Sequence, residues 1–231
     1  MENLFKTNIP KYVTEEGDNI LYPFSPPIFQ TMVDLNFTKD LITEGRKLTV
    51  KDDDHNFNLA GNLKTGRSYR YKDEFVDKAQ LYLLQYIERF FIGLEKQFEE
   101  PTNNMVTKLL DVYRGRGKTE PGKLLLDTMW INFSQKHDYN PPHTHSGALS
   151  FVIFCKVPQE IFNVNADSNS QNSGKLIFKY GEQISKLHGA EYPIIPFDNL
   201  MFIFPAELSH FVPAYWVDAE RISVSGNFVV V

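Results

Sequence analysis

The sequence has few of the features that mark secreted, membrane or nucleic-acid-binding proteins. A single cysteine, Cys155, excludes an intrachain disulfide framework and any cysteine-rich zinc or iron–sulfur site. No run of about 18 apolar residues occurs, so we expect no membrane-spanning helix. Lys and Arg number 24 against 29 Asp and Glu, for a formal charge of −5. Because phosphate binding depends on Lys and Arg, we do not expect a mainly electrostatic nucleic-acid partner.

The start of the chain also lacks the features of an export signal. Met1–Lys6 has no basic region followed by an apolar stretch, which predicts residence in a reducing cytoplasm, or in the host cytoplasm if the source is viral. One short basic segment, Arg114–Lys118, is predicted to be a solvated turn, with contact to an anionic substrate as the alternative. The oligomeric state does not follow from the sequence.

The first half of the chain predicts extended pieces followed by helices. Prolines punctuate residues 1–70, which are expected to form short extended pieces and turns, with a polar loop at Lys51–His55. Apolar residues at spacings of three or four predict a long helix over Asp73–Glu99, whose apolar stripe serves packing. A shorter helix is predicted at Asn104–Tyr113.

From Leu124 onward the sequence predicts a β structure. Short apolar runs rich in β-forming residues are separated by turns and by a polar loop over Asn163–Gly174, which favours an antiparallel sandwich or barrel. The predicted strands are residues 124–133, 148–157, 175–180, 200–204, 210–215 and 221–231. We therefore predict a mainly β fold with α-helices, in which an N-terminal layer (1–120) packs on a β-barrel core (121–231) as one domain.

Three histidines in the second half predict a metal site. His143 and His145 are two residues apart, so in an extended segment both side chains point to the same side. Pro141 and Pro142 restrict the backbone that leads into this pair. A third ligand must come from elsewhere, and His210, between two predicted strands, is the candidate.

Arg221 and Ser223 predict an anion site near these histidines. They begin the last predicted strand, whose other residues are mostly apolar. An arginine that faces inward there needs an anion to neutralise it. The planar guanidinium suits a carboxylate, which accepts two parallel hydrogen bonds, and a serine hydroxyl adds a third. Asn132, which alternates with Trp130 on an earlier strand, is a further donor to a cofactor or substrate, whereas Trp130 is predicted to pack in the core.

The order His-x-His, a distant His, and Arg-x-Ser resembles the iron(II)/2-oxoglutarate-dependent dioxygenases. The similarity extends over Leu124–Val231, and the fuller pattern is similar to a subgroup of 2-oxoglutarate oxygenase-like proteins of bacteria and tailed phages. The resemblance implies a double-stranded β-helix (jelly roll) that binds Fe(II). It also implies that Arg221 and Ser223 bind the far carboxylate of 2-oxoglutarate. The implied reaction consumes O2, hydroxylates an unidentified substrate, and releases succinate and CO2.

Position 145 departs from the family pattern, which normally has a carboxylate there. Three neutral imidazoles leave a ferrous site at a charge of +2, which makes zinc an alternative to iron. Asp138 is considered as a substitute carboxylate. Two alternative functions stay open: a metal-stabilised jelly-roll binding protein without turnover, and a cupin-like metalloenzyme that does not use 2-oxoglutarate. A cupin would carry a glutamate near Leu149, where this chain has none.

The remaining candidates are weaker. His55, His137 and His188 lack a comparable context and are predicted to be surface or loop histidines. The sequence does not identify the primary substrate.

Overall fold

The computed structural model describes residues 11–21, 23, 26–61, 63, 66–97, 124–162, 171–182 and 189–231. Two antiparallel sheets and three α-helices make up the described chain. The larger sheet has the strand order β1-β2-β3-β10-β7-β12-β5-β4, and the smaller sheet has the order β6-β11-β8-β9. The strands are β1 (Lys11–Val13), β2 (Asn19–Leu21), β3 (Ile28–Met32), β4 (Arg67–Arg70), β5 (Leu124–Ser134), β6 (Asn140–His143), β7 (Leu149–Lys156), β8 (Leu176–Lys179), β9 (Glu191–Ile194), β10 (Leu200–Pro205), β11 (Ser209–Val212) and β12 (Arg221–Val230). The helices are α1 (Leu35–Gly45), α2 (Val50–Asp53) and α3 (Asp73–Gln97).

The larger sheet is buried on both faces. In β10, Met201 and Ile203 belong to a core shared with the helices, while Phe202 and Phe204 belong to a second core shared with the smaller sheet. The alternation arises because successive side chains of a strand point to opposite faces. One face therefore serves the helical layer, and the other faces the smaller sheet.

Helix α3 packs on the outer face of the larger sheet. Its buried residues include Leu83, Ile87, Phe90 and Leu94, all in the same core as the outward side chains of β5, β7 and β12. Asp73 and Glu74 in the first turn interact favourably with the positive end of the helix dipole. The predicted packing stripe is confirmed over Asp73–Gln97, and the last two residues of the predicted helix lie outside the described residues.

The prediction for residues 1–70 was incomplete. Its extended pieces are strands β1 to β4, but α1 was missed, and the loop predicted over Lys51–His55 was wrong because α2 occupies most of it. Helix α1 begins where the Asp34 side chain accepts a hydrogen bond from Asn36 N at 2.7 Å. Its threonines and asparagine are weak helix formers, so local propensity did not reveal it.

All six predicted β runs after Leu124 contain strands, whereas β6 and β9 were not predicted. The larger sheet takes four strands from residues before position 120 and four from residues after it. The division into 1–120 and 121–231 stays a prediction. The helix predicted over Asn104–Tyr113 and the basic turn at Arg114–Lys118 lie outside the described residues, as do residues 163–170 of the predicted polar loop. No described helix has the length and apolar character needed to cross a membrane.

Candidate metal centre

The pairing of β6 with β11 brings the three predicted histidines together. His143 ends β6 and lies opposite His210 of β11 in the strand register. His145 follows two residues later, and its backbone N–H donates to Ala206 O at 2.9 Å. This hydrogen bond ties the segment after β6 to the turn before β11.

The geometry of the three rings suits a single metal ion. The ring centroids are 4.8 Å apart for His143 and His145, 4.3 Å for His143 and His210, and 5.1 Å for His145 and His210. One ring nitrogen of each histidine lies within 4.8 Å of the other two. Nitrogens that are each about 2.1 Å from one ion are at most about 4.2 Å apart, which is close to this spacing. Within the described ranges, this is the only group of three or more potential side-chain ligands with such spacing.

The three imidazoles are held neutral, which is the form that binds metals. Burial lowers the pKa of His210 to about 3 and the pKa of His145 to about 4, and the nearby His143 ring adds to both effects. Burial also lowers the pKa of His143. Nδ1 of His143 donates to Pro141 O at 2.8 Å, and Nδ1 of His210 donates to Leu208 O at 3.0 Å. These bonds leave Nε2 of both rings as the atom that could bind a metal.

The histidines line a cavity of about 530 Å³ between the two sheets. Its other wall is the inner face of β5 and β12, where polar side chains replace the apolar ones of the outer face. The polar residues of this wall are Thr128, Asn132, Ser134, Arg221, Ser223, Ser225 and Asn227.

Arg221 is a buried cation in this wall. Its side chain is 7% exposed, and Nη1 donates to Gly174 O at 3.2 Å. Nε is buried without a hydrogen-bond partner, and no ion pair of Arg221 occurs within the described part of the chain. Burial lowers the pKa of Arg221, while Tyr215 and Asp138 act in the opposite direction. Because arginine stays charged at neutral pH, the open donor indicates an anion site.

Ser223 and Asn132 lie next to this cation. They face each other across the β12–β5 register, and both line the cavity. Ser223 is buried, and Oδ1 of Asn132 is a buried acceptor without a donor. The structure thus places all six residues predicted for the site around one cavity.

Asp138 has a structural contact of its own. One carboxylate oxygen, Oδ2, accepts backbone N–H groups from Gly66 at 2.9 Å and Gln135 at 2.8 Å. Asp138 is not in the cluster that the three histidines form. Its position therefore gives no support to the alternative in which it replaces the missing carboxylate.

His55 and Trp130 form a part of the cavity that sequence reasoning missed. His55 was predicted to be a surface or loop histidine; it does lie in a loop, but it is only 8% exposed and lines the cavity. Its ring stacks on Trp130 with centroids 5.1 Å apart, and the Trp130 ring also contacts His145 at 5.6 Å. Trp130 is buried as predicted, yet it lines the cavity as well. By contrast, His137 is exposed against Trp216, and His188 lies outside the described residues.

The sequence of this region matches a known family. Residues 128–227 match the model of the family described as "Putative 2OG-Fe(II) oxygenase". This segment contains the three histidines, Arg221, Ser223 and Asn132. No curated protein matches the chain.

Several solved structures share the fold. A prolyl-4-hydroxylase from Pseudomonas putida is 14% identical, with 87% of this chain and 91% of that chain covered and a TM-score of 0.50. The non-heme alpha-ketoglutarate-dependent epimerase SnoN from nogalamycin biosynthesis is 13% identical, with coverages of 89% and 78% and a TM-score of 0.52. HygX from Streptomyces hygroscopicus, crystallised with nickel, 2-oxoglutarate and hygromycin B, is 6% identical, with coverages of 89% and 83% and a TM-score of 0.51. At these identities the likeness shows a common fold, and it confirms the predicted double-stranded β-helix.

Proposed function

We propose, because residues 128–227 match the model of a family of putative 2OG-Fe(II) oxygenases, that this protein is a non-haem iron oxygenase that uses 2-oxoglutarate. One observation carries the proposal: Arg221 lines the same cavity as three neutral imidazoles, and its buried guanidinium has a donor, Nε, without a partner. A metal site alone does not call for such a cation, whereas a dicarboxylate bound beside the metal does.

The donor set fits Fe(II). His143, His145 and His210 would hold the ion through ring nitrogens, and imidazole is a suitable ligand for iron, zinc, copper and nickel. Three protein ligands on one side of the ion leave further positions for 2-oxoglutarate and O2. Because no carboxylate of the described residues joins the cluster, these protein ligands leave the full charge of +2 on the metal.

The wall of β5 and β12 fits 2-oxoglutarate. Its far carboxylate would neutralise Arg221, and this contact offsets the cost of burying the guanidinium. Ser223, across the register from Asn132, would add a hydroxyl donor, and the amide nitrogen of Asn132 is a further donor. The assignment of Asn132, Arg221 and Ser223 to 2-oxoglutarate is part of this proposal.

The residues of this chain would bind the metal, orient 2-oxoglutarate and the substrate, and exclude water from the cavity. Fe(II) with 2-oxoglutarate and O2 supplies the oxidant for C–H hydroxylation, with succinate and CO2 as co-products. Phe204, Phe154 and Trp130 provide the apolar part of the cavity wall, which limits water near the histidines. Residues 58–61 and Leu63 also line the cavity, and we propose that the substrate enters beside them.

The substrate and the compartment are proposed only in outline. The similar structures are a prolyl-4-hydroxylase, an epimerase from nogalamycin biosynthesis, and HygX with hygromycin B bound. Because these names point to different molecules, the fold does not select a substrate for this chain. A reducing cytoplasm is proposed because the single cysteine, Cys155, can form no intrachain disulfide.

Anaerobic addition of Fe(II) and 2-oxoglutarate tests the proposal. We expect a metal-to-ligand charge-transfer band and calorimetric binding of 2-oxoglutarate, and both should be lost in His210→Ala. In Arg221→Met the metal should still bind while 2-oxoglutarate does not. If the wild-type protein binds Fe(II) but shows neither the band nor the heat of binding, the oxygenase function is wrong.

A second function is favoured by the histidine at position 145. Three neutral imidazoles also suit a structural zinc ion, so the protein could be a metal-stabilised binding protein without turnover. Metal analysis of the purified protein and succinate release in the absence of added substrate distinguish the two functions. Iron together with uncoupled succinate production would exclude the structural role.

A further inference from the structure

Asn140 shares a face of β6 with His143 because the strand is irregular. His143 pairs with His210, and Asn140 pairs with Val212, so a step of three residues on β6 matches a step of two on β11. In a regular strand, residues three apart point to opposite faces. The extra residue of the bulge turns Asn140 back toward the side of the histidines, and bulges beside functional sites commonly redirect a side chain in this way.

The Asn140 amide contacts the atom of His143 that would bind the metal. Nδ1 of His143 is occupied by Pro141 O, which leaves Nε2 for a metal ion. The amide nitrogen of Asn140 lies 3.4 Å from this Nε2. A contact of this length is close to the separation of two neighbouring ligand atoms that are each about 2.1 Å from one ion.

The other end of the Asn140 amide has no partner. Oδ1 is buried, and no described residue donates a hydrogen bond to it. The oxygen and nitrogen of an amide are nearly the same size, so a half-turn of the terminal bond exchanges them without moving other atoms. A cation at Nε2 would repel the amide N–H groups and attract the carbonyl oxygen, which therefore favours the exchanged orientation.

We propose that Asn140 is a fourth protein ligand of this metal centre before 2-oxoglutarate binds, through its side-chain carbonyl oxygen, and that the reverse half-turn of the amide frees this position for 2-oxoglutarate and O2. The inference rests on the metal centre of the proposed function and adds an oxygen donor to a set that lacks a carboxylate. A neutral amide oxygen keeps the charge of the site at +2, and oxygen ligands favour divalent ions such as Fe(II), Mn(II) or Co(II) over softer ions.

Gly61 confines the amide from the far side. A Cβ atom at Gly61 would lie 2.9 Å from Oδ1 of Asn140 and 2.7 Å from Tyr139 O. The backbone at residue 61 can approach Asn140 this closely only because this residue has no side chain. The amide is thus held between Gly61 and His143, with little freedom other than the half-turn.

Cobalt(II) binding to the metal-free protein tests the assignment. Calorimetry measures the Kd, and the visible absorption of Co(II) reports the coordination number, because fewer ligands give stronger bands. For Asn140→Ala we expect binding about 10-fold weaker and stronger absorption. For the isosteric Asn140→Asp we expect tighter binding than wild type, because a carboxylate replaces the neutral oxygen. Asn58→Ala, an asparagine of the same cavity that contacts His55 and not the cluster, should match wild type.

The outcomes separate this inference from the proposed function. Absorption spectra of both Asn140 variants identical to wild type would overturn the fourth ligand, even with the oxygenase function intact. If wild-type protein binds Co(II) but not 2-oxoglutarate, the oxygenase function fails and the Asn140 comparison still decides the ligand. If wild-type protein does not bind Co(II), the metal centre and the Asn140 ligand fail together. Should Asn140→Ala not fold, the isosteric Asn140→Asp alone decides.

Discussion

Acid should destabilise the metal-free protein because the fold keeps its cavity histidines neutral. Burial lowers the pKa of His145 from 6.5 to about 4 and the pKa of His210 from 6.5 to about 3. The folded-state pKa values lie below those of the unfolded chain, so the unfolded chain binds more protons between these limits. The contribution of these neutral histidines to the free energy of unfolding is therefore fully present above about pH 6.5. It is lost as the pH falls toward the pKa values of the folded state.

The size of this loss of unfolding free energy follows from the protonation of the histidines in the unfolded chain. At pH 5.5 a histidine with a pKa of 6.5 is about nine-tenths protonated, which favours unfolding by about 1.4 kcal/mol for each histidine that stays neutral in the folded state. His145 and His210 together give a loss of about 3 kcal/mol between pH 7.5 and pH 5.5. The pKa values of His143 and His55 are also lowered and add in the same direction. Carboxylates with ordinary pKa values stay ionised throughout this range.

Denaturant unfolding in the presence of a chelator measures the effect. The free energy of unfolding is compared at pH 7.5, 6.5 and 5.5 for wild type and for His210→Asn, whose pH-dependent loss should be smaller by about 1.4 kcal/mol. A bound divalent metal should make the acid loss steeper, because protons and metal compete for the same nitrogens. If the metal-free protein keeps its unfolding free energy within about 1 kcal/mol across this range, the histidines are not held neutral and the reasoning is refuted.

Four further changes test the cavity and its support. Arg221→Lys keeps the charge but loses the planar donor pair, so calorimetry should show 2-oxoglutarate binding at least about 10-fold weaker with Co(II) binding unchanged. His55→Ala should leave Co(II) affinity unchanged, because the Trp130 ring separates it from the metal ligands; altered affinity would place His55 in the metal site. Phe90→Ala, in the α3 core, should cost about 3–5 kcal/mol in denaturant unfolding, and a smaller loss would mean that the helix packs loosely. Tyr215→Phe removes a buried hydroxyl whose single hydrogen is shared between two backbone carbonyls within hydrogen-bond distance, and a loss of about 1–3 kcal/mol is expected in the same assay.

The sequence predicted the parts of the fold that local patterns determine. Helix α3 has a regular apolar stripe, and β10 and β12 have long runs of β-forming residues. Strands β6 and β9 each contain proline, which local reasoning assigns to turns, and the smaller sheet tolerates them because both are its edge strands.

Some residues of the candidate site could be predicted from their order along the sequence. Others were missed because their position depends on the pairing of strands that are distant in the sequence. His143, His145, His210 and Arg221 have a recognisable order along the chain. His55 enters the cavity because the chain before β4 is positioned by the pairing of β4 with β5, a contact between distant segments. Asn140 faces the histidines only through the bulge against β11, and no local pattern reveals this register.

The two-faced burial of the larger sheet restricts how chain length can change in this protein. Along β12, Arg221 and Ser223 face the cavity, whereas Ile222 and Val224 face the helical layer. Inserting or deleting one residue within the strand would exchange the two sets, moving a cation into the helix core and aliphatic side chains into the cavity. Variation in length is thus expected in the connections between strands, while the strands themselves tolerate substitution but not a change in residue count.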